Sequence, residues 1–180
     1  MFTKIKQDFL RTEFNDWMSL KGNELRSSYE AKDVILEYFN ISDIDFFKKI
    51  HLRNPFSIKP DRVRFSRLTG TGMLNPHVDH YTTVALNYYI DAGEDLTIFY
   101  KKTNSATPFT YSGKNQSNIY NVADLTEDNN FTAKSGDVYL LDVSQIHSVN
   151  KVNPNPRLFI SYLWDTATYE EVLNDFKGRE

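Results

Sequence analysis

Residues 75–90 read NPHVDHYTTVALNYYI, a stretch that places candidate metal-ligand side chains directly before an apolar run. The run Thr82–Ile90 contains β-branched and aromatic residues, which favour strands. It ends at Asp91-Ala92-Gly93, a combination typical of turns. The stretch therefore predicts a β-strand that follows immediately after two histidines and an aspartate.

Similar strand-forming runs occur on both sides of this stretch. Short β-branched and aromatic runs, separated by turn signals such as Gly70-Thr71-Gly72 and Ser135-Gly136-Asp137, occur at Arg62–Leu68, Thr82–Ile90, Leu96–Tyr100, Val138–Val143 and Leu158–Trp164. No helical pattern alternates with these runs, which argues against a doubly wound parallel sheet. We expect an antiparallel sandwich or barrel, with residues 103–118, rich in Ser, Thr and Asn, as a long surface loop and a candidate lid.

The two ends of the chain show helical spacing of apolar residues instead. The predicted helices are Asp8–Leu20, Ala31–Phe39, a short one from Ser42 to about Ile50, and Tyr169–Phe176. The expected fold class is therefore mainly β (α+β), with N-terminal helices packed on one side. We expect one domain over residues 1–180, with helical support in residues 1–55 and a β core in residues 62–164.

Composition excludes several classes of function. The 21 Lys and Arg residues and 24 Asp and Glu residues give a formal charge of -3 without a basic run, so no nucleic-acid partner is expected. The chain has no cysteine, which excludes disulfides, Cys-ligated metals and thiol nucleophiles. No segment resembles a signal peptide or a membrane span, so we expect a cytoplasmic protein with no membrane partner.

Three side chains have the chemistry of an iron site. His77 and Asp79 are two residues apart, so on an extended segment they point to the same side. An imidazole and a carboxylate form two-thirds of the triad that holds non-haem Fe(II), and His147 supplies the missing imidazole. Arg157 follows His147 by ten residues and suits bidentate binding of a carboxylate.

The remaining candidate residues have simpler interpretations. His80 is adjacent to Asp79 and should face away from the metal as a rim residue. His51 follows a predicted helix, and we interpret it as a surface or interhelical residue. Asp142 shares a strand face with Val138 and Leu140, which indicates a structural role.

Together, His77-Val78-Asp79, His147 and Arg157 resemble the motif of the 2-oxoglutarate- and Fe(II)-dependent dioxygenases. The resemblance spans Arg62–Trp164. It implies a double-stranded β-helix, or jelly roll, in which His77, Asp79 and His147 are the metal ligands and catalytic centre. The implied reaction is hydroxylation of an amino-acid, peptidyl or small-molecule substrate, with release of succinate and CO2.

The resemblance also implies the cofactors. These are Fe(II), 2-oxoglutarate as cosubstrate, and ascorbate as an optional reductant. Arg157 would anchor the distal carboxylate of 2-oxoglutarate, with Arg62, Arg64 and Arg67 as the next candidates for that role. Ser161, on the same strand face as Arg157, and Asn87 would add cofactor-binding contacts.

Further residues resemble particular branches of the family. Ala85-Leu86-Asn87 and His147-Ser148-Val149-Asn150 are similar to the aspartyl/asparaginyl-hydroxylase-like and phage-encoded branches. Gly72 and Pro76 are similar to the prolyl-hydroxylase branch, but Leu68 and Leu74 replace that branch's usual tyrosines, which argues against a prolyl substrate.

Other functions compete with this interpretation. One is a binding module on the same jelly roll, with a vestigial metal site. Another is an iron or zinc cupin-like enzyme that does not use 2-oxoglutarate, which Arg157 disfavours. A third, the zinc motif of metallo-β-lactamase-like hydrolases, would need a histidine where this chain has Asn75 and a fold that alternates strands with helices.

Overall fold

The computed structural model describes residues 1–5, 27–31, 33–40, 56–103, 106–110 and 118–178. The strands in these ranges are β1 (Phe2–Ile5), β2 (Ser27–Ala31), β3 (Val34–Asn40), β4 (Arg62–Gly70), β5 (Gly72–Val78), β6 (Val84–Asp91), β7 (Leu96–Lys102), β8 (Phe109–Thr110), β9 (Asn118–Ile119), β10 (Leu125–Thr132), β11 (Val138–Asp142), β12 (His147–Lys151) and β13 (Arg157–Trp164). A 3₁₀ turn (Val122–Asp124) precedes β10, and helix α1 (Tyr169–Lys177) follows β13.

The strands form two antiparallel sheets. The larger sheet has the order β1-β11-β6-β13-β4-β3-β2, and the smaller one has the order β10-β7-β12-β5-β9-β8. From β4 to β7 successive strands alternate between the two sheets, and β10 to β13 alternate likewise. This winding is that of a jelly roll, so the expected mainly β architecture is confirmed.

Both faces of the larger sheet are covered. The inner face packs towards the smaller sheet around Tyr89, Phe99 and Tyr139. The outer face buries Leu86, Tyr162 and Trp164 against α1 and Phe56. Side chains on both faces of β6, β11 and β13 are therefore buried, which explains why these strands are mostly apolar.

Helix α1 confirms the helix expected near Tyr169–Phe176. Thr168 caps it, since its hydroxyl accepts from the Glu171 amide while the Glu171 carboxylate accepts from the Thr168 amide. Tyr169, Val172 and Leu173 then pack onto the sheet. Among the described residues, no helix is long and apolar enough to cross a membrane.

The helix expected at Ala31–Phe39 is wrong, because residues 34–40 form strand β3. The helical spacing is satisfied by Val34, Ile35, Tyr38 and Phe39. The segment nevertheless forms backbone hydrogen bonds with the edge of β4. Burial alternates accordingly, with Val34 1% exposed and Ile35 39% exposed. The other N-terminal helices, Asp8–Leu20 and Ser42–Ile50, lie outside the described residues, as does His51.

The expected surface loop at 103–118 is also partly wrong. Phe109–Thr110 pairs with Asn118–Ile119, and the latter pairs with the end of β5. These two-residue strands extend the smaller sheet beside His77. The pairing comes from a distant edge rather than from local preference, so the polar composition of the segment hid it.

Removing buried side-chain volume from β3 tests whether residues 34–40 form a strand. We expect Val34→Ala to lower the free energy of unfolding by about 2 kcal/mol, because Val34 packs against Leu68 and Leu74. Ile35→Ala, on the other side of the strand, should cost less than about 1 kcal/mol. Urea unfolding of both variants measures the difference, and equal losses would contradict the strand.

Candidate metal centre and polar interior

A register shift in β5 places His77 directly opposite His147 on the neighbouring strand. Val149 on β12 pairs with Leu74, whereas His147 pairs with His77, so β5 contains one extra residue between the two pairs. Such a bulge reverses which side the following residues face. Pro76 lies in the bulge, where its missing amide hydrogen costs no ladder bond. The bulge therefore turns His77 towards the interior, on the side already occupied by His147.

Asp79 completes the cluster just beyond the end of β5. Its amide donates to the carbonyl of Val143 at 3.2 Å, which fixes the backbone there. Its Oδ1 lies 3.3 Å from His77 Nε2 and 3.9 Å from His147 Nε2. The three ligand atoms all lie within 4.8 Å of one another, a spacing compatible with one shared metal ion.

Backbone carbonyls orient both imidazoles. His77 Nδ1 lies 2.7 Å from the Asn75 carbonyl, and His147 Nδ1 lies 3.0 Å from the Gln145 carbonyl. A carbonyl only accepts hydrogen bonds, so each Nδ1 carries a proton and each Nε2 is the atom that would bind a metal, once His77 has released the Nε2 proton that it shares with Asp79. This arrangement is usual for histidines that bind a metal.

The electrostatics of the cluster favour an ionised Asp79 and a neutral His147, whereas burial lowers the pKa of His77 less than the hydrogen bond and charge of Asp79 raise it. Burial raises the pKa of Asp79, but the hydrogen bond from His77 and the charges of His147, His77 and Arg64 outweigh it and hold the pKa at about 2. Burial and the neighbouring His77 lower the pKa of His147 to about 4. Asp79 is thus ionised and His147 neutral at pH 7, as metal ligation requires.

The turn before His147 is held by Asp142. Its carboxylate accepts from Ser144 Oγ at 2.5 Å and from Gln145 Nε2 at 2.8 Å. Gln145 in turn supplies the carbonyl that orients His147. Asp142 lies outside the metal cluster, in agreement with the structural role expected for it.

Arg157 lies deep between the sheets. It is 2% exposed, and its Nη2 donates to the Tyr89 hydroxyl at 2.9 Å and to Thr97 Oγ1 at 3.0 Å. Its Nε and Nη1 are buried and have no hydrogen-bond partner among the described residues. Unpaired donors of a buried cation are costly, so this site is suited to an anionic ligand.

Ser161 and Asn87 form a second polar contact on the same interior face. Ser161 Oγ donates to Asn87 Oδ1 at 2.6 Å, and Asn87 Nδ2 lies 3.4 Å from the Tyr89 hydroxyl. Tyr89 links this pair to Arg157. The structure therefore brings Arg157, Ser161 and Asn87 together in one buried network.

A second buried pair lies close to Arg157. Lys151 Nζ is 3.5 Å from Asp95 Oδ2, and both side chains are fully buried. Lys151 also donates to the Asn153 carbonyl at 2.7 Å. Burial raises the pKa of Asp95, against the charges of Lys151 and Arg157. Two cations thus share one carboxylate, which leaves an excess positive charge in this part of the interior.

Sequence reasoning missed several members of this network. Tyr89, Thr97, Asp95 and Lys151 were assigned no role. Alternation along the strands could have indicated Tyr89, because it lies two residues from Asn87 on the same face. Thr97 and Lys151 come from the opposite sheet and Asp95 from the residue just before its strand β7, and no local pattern points to them.

The other candidate residues lie outside the metal cluster. His80 is exposed and its ring lies against that of Tyr81, with centroids 3.5 Å apart and the planes tilted by 55°, in agreement with the rim position expected for it. Arg62 binds Asp165 and Thr82. Arg67 binds Glu37 at 2.7 Å and faces away from the interior.

Comparison with known proteins identifies the fold. The chain matches no family model, and no curated protein matches it in sequence. The epimerase SnoN, solved with Fe3+, alpha ketoglutarate and nogalamycin RO, is 11% identical over 90% of this chain and 77% of that chain, with a TM-score of 0.58. HygX from Streptomyces hygroscopicus, solved with nickel and 2-oxoglutarate, is 14% identical over 93% and 84%, with a TM-score of 0.53.

An oxidoreductase of the 2OG-Fe(II) oxygenase family from Burkholderia pseudomallei is also similar. It is 10% identical over 93% of this chain and 88% of that chain, with a TM-score of 0.50. At such identities the similarity shows the fold alone. This chain therefore has the jelly-roll fold that 2-oxoglutarate- and iron-dependent enzymes use.

Substitution of the three cluster residues tests metal binding. We expect one Fe(II) per chain under anaerobic conditions, and at least about 100-fold weaker binding in His77→Ala, Asp79→Ala and His147→Ala, since loss of an outer-shell partner alone costs 10- to 100-fold. His80→Ala is the matched control and should bind like the wild type. Anaerobic calorimetry measures the affinities, and full retention in all three variants would contradict the site.

Proposed function

We propose that this protein is a non-haem Fe(II)- and 2-oxoglutarate-dependent oxygenase. The observation that carries the proposal is the buried Arg157, which has two donors without a partner among the described residues. From the larger sheet it faces the interior that also holds the His77–Asp79–His147 cluster on the smaller sheet. One group is suited to a divalent metal and the other to a carboxylate. A compact dicarboxylate that also binds the metal would use both.

The strand register supports a single ligand that reaches both groups. Arg157 donates to Thr97, and Thr97 lies two residues from Phe99, the direct partner of His147. At about 3.3 Å per residue, the position of Arg157 beside Thr97 and the position of His147 beside Phe99 are only about 7 Å apart along the strand. A five-carbon diacid is of suitable length for this separation.

Charge supports the same ligand. Asp79 and two neutral imidazoles would leave one positive charge on a bound Fe(II). Arg157 and Lys151 against Asp95 leave a second one. The dianion 2-oxoglutarate would neutralise both, which matters because an unpaired charge is costly in a buried site.

His77, Asp79 and His147 would hold Fe(II) and leave its remaining positions for ligands. Bound Fe(II) would supply the oxidation, in which 2-oxoglutarate and O2 give succinate and CO2 while one oxygen atom enters a substrate C–H bond. The chain's own contribution is placement. Arg157, Tyr89 and Thr97 bind the distal carboxylate, and Phe99 shields one side of the cluster from water.

Access for a substrate comes from the side of Asp79. Its side chain is 34% exposed, whereas that of His147 is 10% exposed. The cluster thus opens to solvent at the carboxylate and is closed at the second histidine. We propose an amino-acid, peptidyl or other small-molecule substrate that enters there and is hydroxylated.

Truncation of Arg157 tests the cosubstrate site. Removing one member of a buried charge pair costs about 2–5 kcal/mol, so Arg157→Ala should bind 2-oxoglutarate about 30- to 3,000-fold more weakly. Arg157→Lys should recover part of the loss, because the charge returns without the planar fork. Metal affinity is the internal control and should be unchanged. Calorimetry measures the 2-oxoglutarate affinity of the Mn(II)-loaded protein and the Mn(II) affinity of the metal-free protein. If Arg157→Ala binds 2-oxoglutarate within about threefold of the wild type, another residue anchors the cosubstrate.

Turnover separates an oxygenase from a binding module. With Fe(II), ascorbate, O2 and 2-oxoglutarate, we expect slow release of succinate without a substrate and faster release with cell extract. His147→Ala should abolish both rates. Succinate is quantified by mass spectrometry. Tight 2-oxoglutarate binding without succinate would instead favour an inactive jelly-roll module with a vestigial metal site.

A further inference from the structure

Arg64 points into the interior that holds the metal cluster. On β4 it pairs with Ser161, which pairs in turn with Asn87, so the three side chains form one row across the larger sheet. Directly paired residues of antiparallel strands lie on the same face. Arg64 therefore shares the interior face with the polar network, and its charge acts on Asp79 across the space between the sheets.

Arg64 is the arginine of β4 that has no anionic partner among the described residues. Arg62 binds Asp165, and Arg67 binds Glu37. The Nε of Arg64 is buried without a hydrogen-bond partner in the described part of the chain. Its guanidinium instead lies 4.1 Å from the ring centroid of Tyr38 on β3. This contact holds the planar group in place, and no described residue occupies its donor edge.

An apolar wall lies on the smaller sheet beside the metal cluster. Register pairs His77 with Ile119, and Ile119 with Phe109, so these side chains continue one row across β5, β9 and β8. Ile119 is 2% exposed and Phe109 is 49% exposed. Adjacent strands are about 4.8 Å apart, so Phe109 lies about 10 Å from His77. The row therefore begins at the candidate metal ligand His77 and ends at an apolar side chain that is exposed to solvent.

We propose that Arg64 is the substrate-binding residue of this site and that the substrate carries a carboxylate next to an apolar group. Arg64 receives the carboxylate through its donor edge, and Ile119 and Phe109 contact the apolar part. This inference rests on the proposed oxygenase function. It assigns the substrate's anion to Arg64 and the cosubstrate's distal anion to Arg157.

The positions of the two arginines support separate ligands. Arg157 pairs with Leu68 and Arg64 pairs with Ser161, so four residues separate their levels, about 13 Å along the strands. Arg157 is 2% exposed, whereas Arg64 is half-buried. A group that binds first and stays bound suits the deep site. A substrate that enters and leaves with each turnover suits the shallow one.

A pair of small probes tests the assignment in the protein loaded with Mn(II) and saturating 2-oxoglutarate. Phenylacetate has the predicted carboxylate and apolar ring, and phenylacetamide is its neutral counterpart. Paramagnetic Mn(II) broadens the proton resonances of a ligand held near it, so NMR titration gives proximity and affinity together. We expect saturable broadening of phenylacetate and at least about tenfold weaker binding of the amide, which corresponds to about 1.4 kcal/mol.

Variants on one strand supply the matched controls. Arg64→Gln should weaken phenylacetate binding about tenfold or more, and Arg64→Lys should recover part of it. Arg67→Gln removes the same charge from the opposite face of β4 and should behave like the wild type. Thermal unfolding verifies that all three variants fold, so a loss specific to Arg64→Gln reports on binding.

The outcomes separate this inference from the proposed function. Calorimetry on the same samples gives the Mn(II) and 2-oxoglutarate affinities, and failure of the wild type to bind either ligand would overturn both proposals. Intact binding of both, with acid and amide broadened equally or not at all, would overturn the Arg64 assignment alone. A loss of 2-oxoglutarate affinity in Arg64→Gln as large as that in Arg157→Ala would place Arg64 in the cosubstrate site and would also overturn it.

Discussion

The register of three neighbouring strands, β7, β12 and β5, is the constraint on which the site depends. His147 is paired with Phe99 on one side and with His77 on the other. Without the extra residue in β5, His77 would face outwards, because side chains alternate strictly along a strand. One local irregularity thus converts two separate histidines into a pair whose ring centroids are 4.5 Å apart. Asp79 joins them because its backbone is fixed to Val143.

The interior of the jelly roll is divided between an apolar and a polar region. Aromatic packing of Phe131 on Tyr139, with ring centroids 4.1 Å apart, fills one part. The other part holds Arg157, Ser161 and Asn87. Buried polar groups that are only partly satisfied reduce stability, and binding sites commonly carry such groups. Two donors of Arg157 have no partner in the described part of the chain, and we interpret them as a stability cost retained for ligand binding.

The larger sheet isolates this polar region from the rest of the molecule. Its outer face forms a separate apolar core with α1, which stabilises the fold without involving the site. The inner face is then free to carry Asn87, Ser161 and Arg64 along one row. A sheet buried on both faces can thus combine stability on one side with polar chemistry on the other, because successive side chains point in opposite directions.

The sequence by itself determined the β-rich core, the C-terminal helix and the candidate metal ligands. These follow from short-range signals, namely β-branched runs between turns, apolar residues at helical spacing and two ligands at strand spacing. It could not determine that residues 34–40 form a strand, because their apolar pattern satisfies both periods and only pairing with β4 decides between them. Likewise, Leu125–Thr132 is polar, and its strand exists because β7 offers an unpaired edge.

Only the tertiary structure decided how the polar groups combine. Thr97 contacts Arg157 from the opposite sheet, and Lys151 pairs with Asp95 nearby; such contacts depend on how two sheets pack rather than on any local spacing. The tertiary structure also decided the partners of the three arginines of β4, which the sequence alone does not indicate. Arg67 faces outwards to Glu37, Arg62 reaches Asp165, and Arg64 faces the metal cluster without an anionic partner among the described residues. The reason is physical: alternation sorts side chains by face, but only folding decides what each face meets.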